Sequence, residues 1–277
     1  MISKDSIQSY KGGRVLSRSD SFLYIAPHIV LQPYISNYTV SFPTPQTMPE
    51  EYTIIPTASA TLVLSVDEEA ISCYLRGINT KPCIVGKHAN RKKLLLLIEF
   101  HPGGLYPFIP TDQVELMDVS YNLKELDHKL FNRLEEELIK ANNIEALVGA
   151  LNRIWIERLE QHKINPNVIG MRNSNIEHHG IRSNRELVDE FHYSEKQIKR
   201  LFLQYIGTGP KMFSRIVRTN YALHILQKNP SRLTEVAVQA GYFDQPHFIH
   251  DFKRICNITP QEYRKNMSYF YNDRFKM

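Results

Sequence analysis

Apolar positions follow three rhythms along the chain. Up to about residue 115 they form short, mostly alternating runs broken by Pro27, Pro43, Pro45, Pro49, Pro56 and Pro82, the mark of strands and turns. Candidate strands are Ile29–Val40, Tyr52–Ile55, Thr61–Val66, Ile71–Arg76 and Leu94–Phe100. Leu94–Ile98 is apolar without a break, which fits a strand buried on both faces. Pro102, Gly103 and Gly104 then supply turn geometry and end it.

From about residue 122 to 162 the period changes to that of a helix. Leu123, Leu126, Leu130, Leu134 and Leu138 recur at three- and four-residue steps. After Asn142 and Asn143 a second stripe follows: Ile144, Leu147, Leu151, Ile154 and Trp155. Two amphipathic helices joined by a short polar turn make a helical hairpin. Its stripes can pack on the preceding sheet or on a second copy of the chain. Beyond it, Asn165 and Pro166 signal a helix start and Gly180 a stop. A domain boundary near Asn165 divides the chain into 1–164 and 165–277.

The last third repeats itself after about fifty residues. Glu186-Leu187-Val188 aligns with Glu235-Val236-Ala237, and His192-Tyr193 with Gly241-Tyr242. After a one-residue insertion, Ser194 aligns with Asp244, Ile198 with Phe248, Phe202 with Phe252, Pro210 with Pro260, and Phe213 with Tyr263. Each copy reads as a short helix, a tight turn, an N-cap residue and a longer helix. In the first, Ile198, Leu201, Phe202 and Tyr205 share the inward face, with Lys196, Lys199 and Arg200 on the other side. In the second, Phe248, Phe252 and Ile255 face inward, while Gln245, His247, His250, Lys253 and Arg254 face out. Such a unit is a helix-turn-helix, whose second helix presses its N-terminal part into a DNA major groove. The units lie at about 184–205 and 233–255, joined by a linker helix over Met212–Lys228. The fold expected is therefore a β-rich α+β N-terminal domain with a helical hairpin, followed by an all-α C-terminal domain.

Charge sharpens this picture. Residues 1–164 hold 17 Lys and Arg against 19 Asp and Glu, whereas residues 165–277 hold 17 against 10, net +7. A basic C-terminal third suits a polyanion. Among 277 residues there is no apolar run of 18 and no apolar core of a signal peptide near Met1, so a cytoplasmic protein without a membrane span is expected. Three cysteines, Cys73, Cys83 and Cys256, without CxxC spacing do not make a disulfide framework or a structural zinc site, and Cys73 and Cys83 read as small buried hydrophobes.

Residues Glu186 to Arg264 resemble the DNA-binding domain of the AraC/XylS family of bacterial transcription regulators. Ser194, Ile198, Arg200, Phe202, Gly207 and Pro210 carry the match in the first copy, and Arg218 and Ala222 in the linker helix. In the second it is carried by the run GYFDQPHFIHDFKR and then ITPQEYR. Upstream, Phe100-His101-Pro102-Gly103-Gly104 and the two-helix segment resemble the sensor-type domain of one branch of that family. The resemblance implies base-edge contacts from Lys196, Lys199 and Arg200 and from Gln245, His247 and His250. Backbone contacts are expected from Ser194, Lys211, Arg215, Arg218, Lys253 and Arg254. His192 departs from the pattern, standing where the family usually has glycine in the turn; Pro246 and His250 replace longer polar or basic side chains. The implied partners are double-stranded DNA, a small-molecule effector, RNA polymerase and a second copy of the chain.

For the effector, Tyr24, Tyr34, Tyr38, Phe42 and Phe100 are the candidate lining of an apolar pocket, although a filled core explains them equally. His88, Glu99 and His101 around an apolar strand invite a metal reading, but the closely spaced HxH pair of a cupin is absent. His247, His250 and Cys256 lack a further ligand at suitable spacing. Neither GxxxxGK nor GxSxG occurs, so no cofactor and no catalysis are expected. The competing expectations are an enzymatic N-terminal domain tethered to DNA and a regulator controlled by a protein partner.

Overall fold

The computed structural model describes residues 2–68, 70–86, 89–161, 164–228, 232–267 and 270–271. After a short helix α1 (Ser6–Ser9), strands β1 (Val15–Arg18), β2 (Phe22–Ile25), β3 (Ile35–Ser41), β4 (Tyr52–Ile54), β5 (Thr61–Val66), β6 (Ile71–Arg76), β7 (Cys83–Val85), β8 (Leu94–Phe100) and β9 (Ser120–Asn122) follow. Seven of them form one antiparallel sheet, ordered β1-β2-β3-β8-β5-β6-β9. The unbroken apolar run becomes β8, which sits between β3 and β5. The expected strand at Ile29–Val40 begins later than its apolar residues suggest. Ile29–Leu31 is a 3-10 turn, started by His28, whose ring accepts from the Val30 amide, and followed by Pro33.

Register assigns the two faces of this sheet. Tyr38, Val40, Leu62, Leu64, Leu96 and Ile98 line one face in paired positions. On it lie the helices α2 (Leu123–Leu126), α3 (His128–Lys140) and α4 (Ile144–Leu159), whose stripes from Leu130 to Trp155 are buried. Trp155 meets Phe100 edge-on at 5.8 Å and Phe108 at 5.1 Å. The hairpin stripes therefore pack on the sheet of their own chain. Asp127 and Asn143 cap α3 and α4 by accepting from the Leu130 and Ala146 amides. On the opposite face, Asn37, Thr39 and Thr61 surround Glu99. A smaller sheet pairs β4 with β7 antiparallel and with β10 (Phe270–Tyr271) parallel.

The C-terminal region is helical: α5 (Pro166–Glu177), α6 (Asn184–Phe191), α7 (Glu195–Leu201), α8 (Pro210–Lys228), α9 (Leu233–Gln239), α10 (Gln245–Cys256) and α11 (Pro260–Lys265). The repeat is retained in three dimensions. Phe202 packs on Phe213 at 5.7 Å, while Phe252 packs between Phe248 at 5.6 Å and Tyr263 at 5.9 Å. All five rings are fully buried.

The two regions meet along a polar seam. Arg172 of α5 is buried and donates to the carbonyls of Pro33 at 3.0 Å and Pro102 at 3.2 Å. Burial pulls its guanidinium down to about 10, so it keeps its proton at neutral pH and the carbonyls offset its desolvation. Asn220 of α8 donates to the Pro56 carbonyl at 2.8 Å. Tyr106 stacks obliquely on Tyr205 at 4.4 Å. Gly207, at φ +87°, lies where a Cβ would come 2.8 Å from the Gln113 carbonyl oxygen. A side chain there would meet both backbone strain and a clash.

Substituting Phe252→Ala should lower unfolding stability by about 3–5 kcal/mol, the cost of emptying an aromatic site in a packed core. Denaturant unfolding followed by circular dichroism checks this; an unchanged midpoint would place Phe252 outside the core.

Candidate nucleic-acid interface

Each unit is built from a capped helix, a left-handed turn residue and a second capped helix. Ser183 and Glu186 form a capping box at the start of α6, with the Ser183 amide donating to Glu186 Oε2 at 2.8 Å. α6 ends at His192, whose φ of 56° and ψ of 33° are left-handed. That is the conformation for which glycine is the usual residue, and histidine adopts it here. Ser194 then caps α7. Its Oγ accepts from the Gln197 amide at 3.3 Å while Gln197 Oε1 accepts from the Ser194 amide at 2.9 Å. In the second unit the turn residue is Gly241, at φ +74°; a Cβ there would lie 2.5 Å from Ile181 Cδ1, so the position admits only glycine without repacking. Asp244 caps α10 by accepting from the His247 amide at 2.7 Å, and Pro246 sits in the first turn, where amides have no intrahelical partner.

The inward faces are closed: Ile198, Leu201 and Phe202 in the first unit, Phe248, Phe252 and Ile255 in the second. The outward faces are open. Lys196, Lys199, Arg200, His247 and His250 are exposed, and Gln245 is half-buried. The expected backbone group divides. Lys211, Lys253 and Arg254 are exposed. Ser194 is exposed too, but its hydroxyl is engaged in the cap, donating to Gln197 Oε1 at 2.8 Å.

Arg215 and Arg218 are half-buried and engaged within the protein. Arg218 donates to the Gly180 carbonyl at 2.6 Å and lies 5.4 Å over the Tyr242 ring. Arg215 Nε lies 3.0 Å from Asp251 Oδ1, a charge contact in which the N–H is not aimed at that oxygen. Asp251 is the buried acid of α10, and it also brings His247 Nε2 to 3.7 Å and His250 Nδ1 to 3.8 Å. The sequence offers little sign of this arrangement, because one aspartate on a helix otherwise bearing polar and basic residues reads as an outward charge. Burial raises the Tyr242 phenol to about 12, with its hydroxyl 3.4 Å from that of Thr219. It therefore stays protonated in the core between α8 and α10.

In the N-terminal region the five aromatic candidates do not share a cavity. Tyr38 is fully buried on the helix side of the sheet, its hydroxyl donating to Asn152 Oδ1 at 3.1 Å. Phe100 is packed on Trp155, Tyr34 meets Phe108 edge-on at 6.0 Å, and Phe42 packs against the same core. Tyr24 pairs in register with Thr39 on the other face, beside Phe22 at 5.0 Å. A filled core accounts for Tyr34, Tyr38, Phe42 and Phe100. Glu99 is buried and accepts from Asn37 Nδ2 at 2.7 Å and Thr39 Oγ1 at 3.1 Å. His88 lies outside the described residues. Among the described residues no group of three or more His, Cys, Asp or Glu is placed to hold a metal ion. No described helix is long and apolar enough to cross a membrane. Cys73 and Cys256 are buried, and burial pushes both thiols up, Cys73 to about 12. Neither offers the thiolate that redox chemistry requires.

Residues 187–266 match the family model described as a helix-turn-helix domain. An HTH-type transcriptional regulator of Haemophilus influenzae is 33% identical over 69 residues, which is 25% of this chain and 23% of that protein. The HTH-type transcriptional regulator MtrA of Neisseria gonorrhoeae is 31% identical over 80 residues, 29% of this chain and 27% of MtrA. The transcriptional activator RhaS of Escherichia coli is 27% identical over 84 residues, 30% of each chain. The matched stretch thus spans about a quarter of the length of these curated relatives. Among solved structures, ToxT of Vibrio cholerae aligns at a TM-score of 0.41 and 14% identity, covering 88% of this chain and 98% of ToxT. The C-terminal helices over residues 187–266 form a helix-turn-helix domain.

Replacing Asp251 with Ala should cost about 3 kcal/mol of stability, the low end for breaking a buried ion pair, because Arg215 keeps partial access to water. Thermal unfolding reads this out. A stability equal to that of the parent chain would mean that Arg215 does not depend on Asp251.

Proposed function

We propose that the chain is a sequence-specific transcription regulator that binds double-stranded DNA, with α7 and α10 reading neighbouring major-groove segments of one duplex. One observation carries this reading: both helices bury an apolar face, Ile198 and Leu201 in α7 and Phe248, Phe252 and Ile255 in α10, and leave Lys196, Lys199, Arg200, His247 and His250 in solvent. Lys196, Lys199 and Arg200 can donate to guanine O6 and N7, Gln245 can pair with adenine N6 and N7, and His247 and His250 extend the second reading face. Lys211, Lys253 and Arg254 neutralise phosphates and supply affinity without sequence preference.

Residues 165–277 form the DNA-binding part on this reading, and residues 1–164 receive a signal rather than perform chemistry. The seam supports this division, because Arg172, Asn220 and Tyr205 tie helices of the reading domain to loops of the sheet domain. A small effector acts there only by favouring one arrangement of the two regions over another; equal affinity for both shifts nothing.

Selection of bound fragments from a random duplex library tests the reading. The expected result is an enriched motif with two blocks. Arg200→Ala and Gln245→Ala should each relax preference at one position by about 1–3 kcal/mol, whereas Lys253→Ala should weaken all sequences alike and lower the salt slope by about one. No enriched motif, or uniform weakening by all three variants, would contradict it.

A further inference from the structure

Phe243 is 93% exposed, the most exposed large hydrophobic side chain among the described residues. Every other phenylalanine of the two units is treated differently: Phe202, Phe213, Phe248 and Phe252 are fully buried and Phe191 is packed against the core. The position of Phe243 is set by the turn. Gly241 reverses the chain with its positive φ, and Tyr242 goes inside against Phe248 at 5.3 Å and His247 at 5.3 Å. Asp244, extended at φ −151°, caps α10. Phe243 thus stands one residue outside the N-cap, at the end of α10 that carries Gln245 and His247.

An aromatic ring left in water forgoes about 1.5–3 kcal/mol that burial would provide. Among the described residues nothing covers it, and it stands beside the end of α10 that carries the exposed His247, in a segment at net +7. That setting fits a polyanionic partner and not an acidic-poor apolar one. A duplex offers one apolar group on its major-groove edge, the thymine C5-methyl, and phenylalanine is among the side chains that contact it. The geometry points to Phe243 as a specificity-determining residue of the second unit, reading the methyl of a thymine next to the base pair met by Gln245. This assignment rests on the DNA-binding reading and adds an apolar contact to a face otherwise described by hydrogen bonds and charge.

The test uses the full chain and the duplex enriched by selection, with each thymine of the second block replaced in turn by deoxyuridine, which lacks only the methyl. At one position the parent chain should bind about fourfold more weakly, equivalent to about 0.8 kcal/mol for one buried methyl. Phe243→Ala should bind the thymine and deoxyuridine duplexes equally well at that position, and should keep the parent's thermal midpoint because the ring touches no core. Phe243→Leu should restore part of the discrimination. Equal loss in parent and Phe243→Ala overturns the assignment, as does insensitivity of the parent to every replacement. A uniform loss of affinity in Phe243→Ala with thymine discrimination intact makes the ring a backbone contact and overturns it as well. Failure to enrich any duplex instead removes the DNA-binding reading itself, and this assignment with it.

Discussion

Burial of one apolar face in each helix-turn-helix unit is the constraint from which the rest of the molecule follows. Phe202 is fully buried against Phe213, Phe252 is fully buried between Phe248 and Tyr263, and a helix has only one opposite side. Once those rings are inside, Lys196, Lys199 and Arg200, or His247 and His250, must face outward. The caps then fix where each helix begins, since Ser194 and Asp244 satisfy amides that would otherwise lack partners. Orientation and starting point together determine which side chains the N-terminal end of each helix presents to solvent.

The linker helix α8 does more than hold the units apart. Arg215 reaches the buried Asp251 of α10, Arg218 braces the Gly180 turn beneath Tyr242, and Asn220 reaches across to Pro56 in the sheet region. Three polar residues within six positions therefore bond in three directions. The first unit has its own tie, because the π-helical turn Phe202–Ile206 and Gly207 approach the Gln113 loop. Both helix-turn-helix units are thus linked by contacts to the region that contains the sheet. A π-helical segment at that junction is a local departure from α geometry of the kind often found where a helix serves a function.

Strong periodicity made much of this fold readable in advance. The repeat between Ser194 and Asp244, Phe202 and Phe252 is a matter of spacing alone, and it placed both inward faces. β8 was marked by an unbroken apolar run, and the hairpin helices by leucines at helical steps. What escaped were features that depend on the partner rather than on the residue. The contacts of Arg215 with Asp251 and of Arg218 with the Gly180 carbonyl leave no sign in the spacing of the chain. Tyr38 and Phe100 could line a pocket or fill a core, and only the packing of Trp155 against Phe100 decides for the core. Ile29–Leu31 has strand-like composition, yet the His28 cap and Pro33 favour a tight turn. Arg172 and Asn220 join distant parts of the chain and leave no period to detect.

Hydroxyl-radical footprinting of the full chain on its selected duplex addresses the central claim most directly. Two recognition helices on one face should protect two windows whose centres lie about 10 base pairs apart, one helical turn. A single window, or two windows on opposite faces of the duplex, would contradict the account.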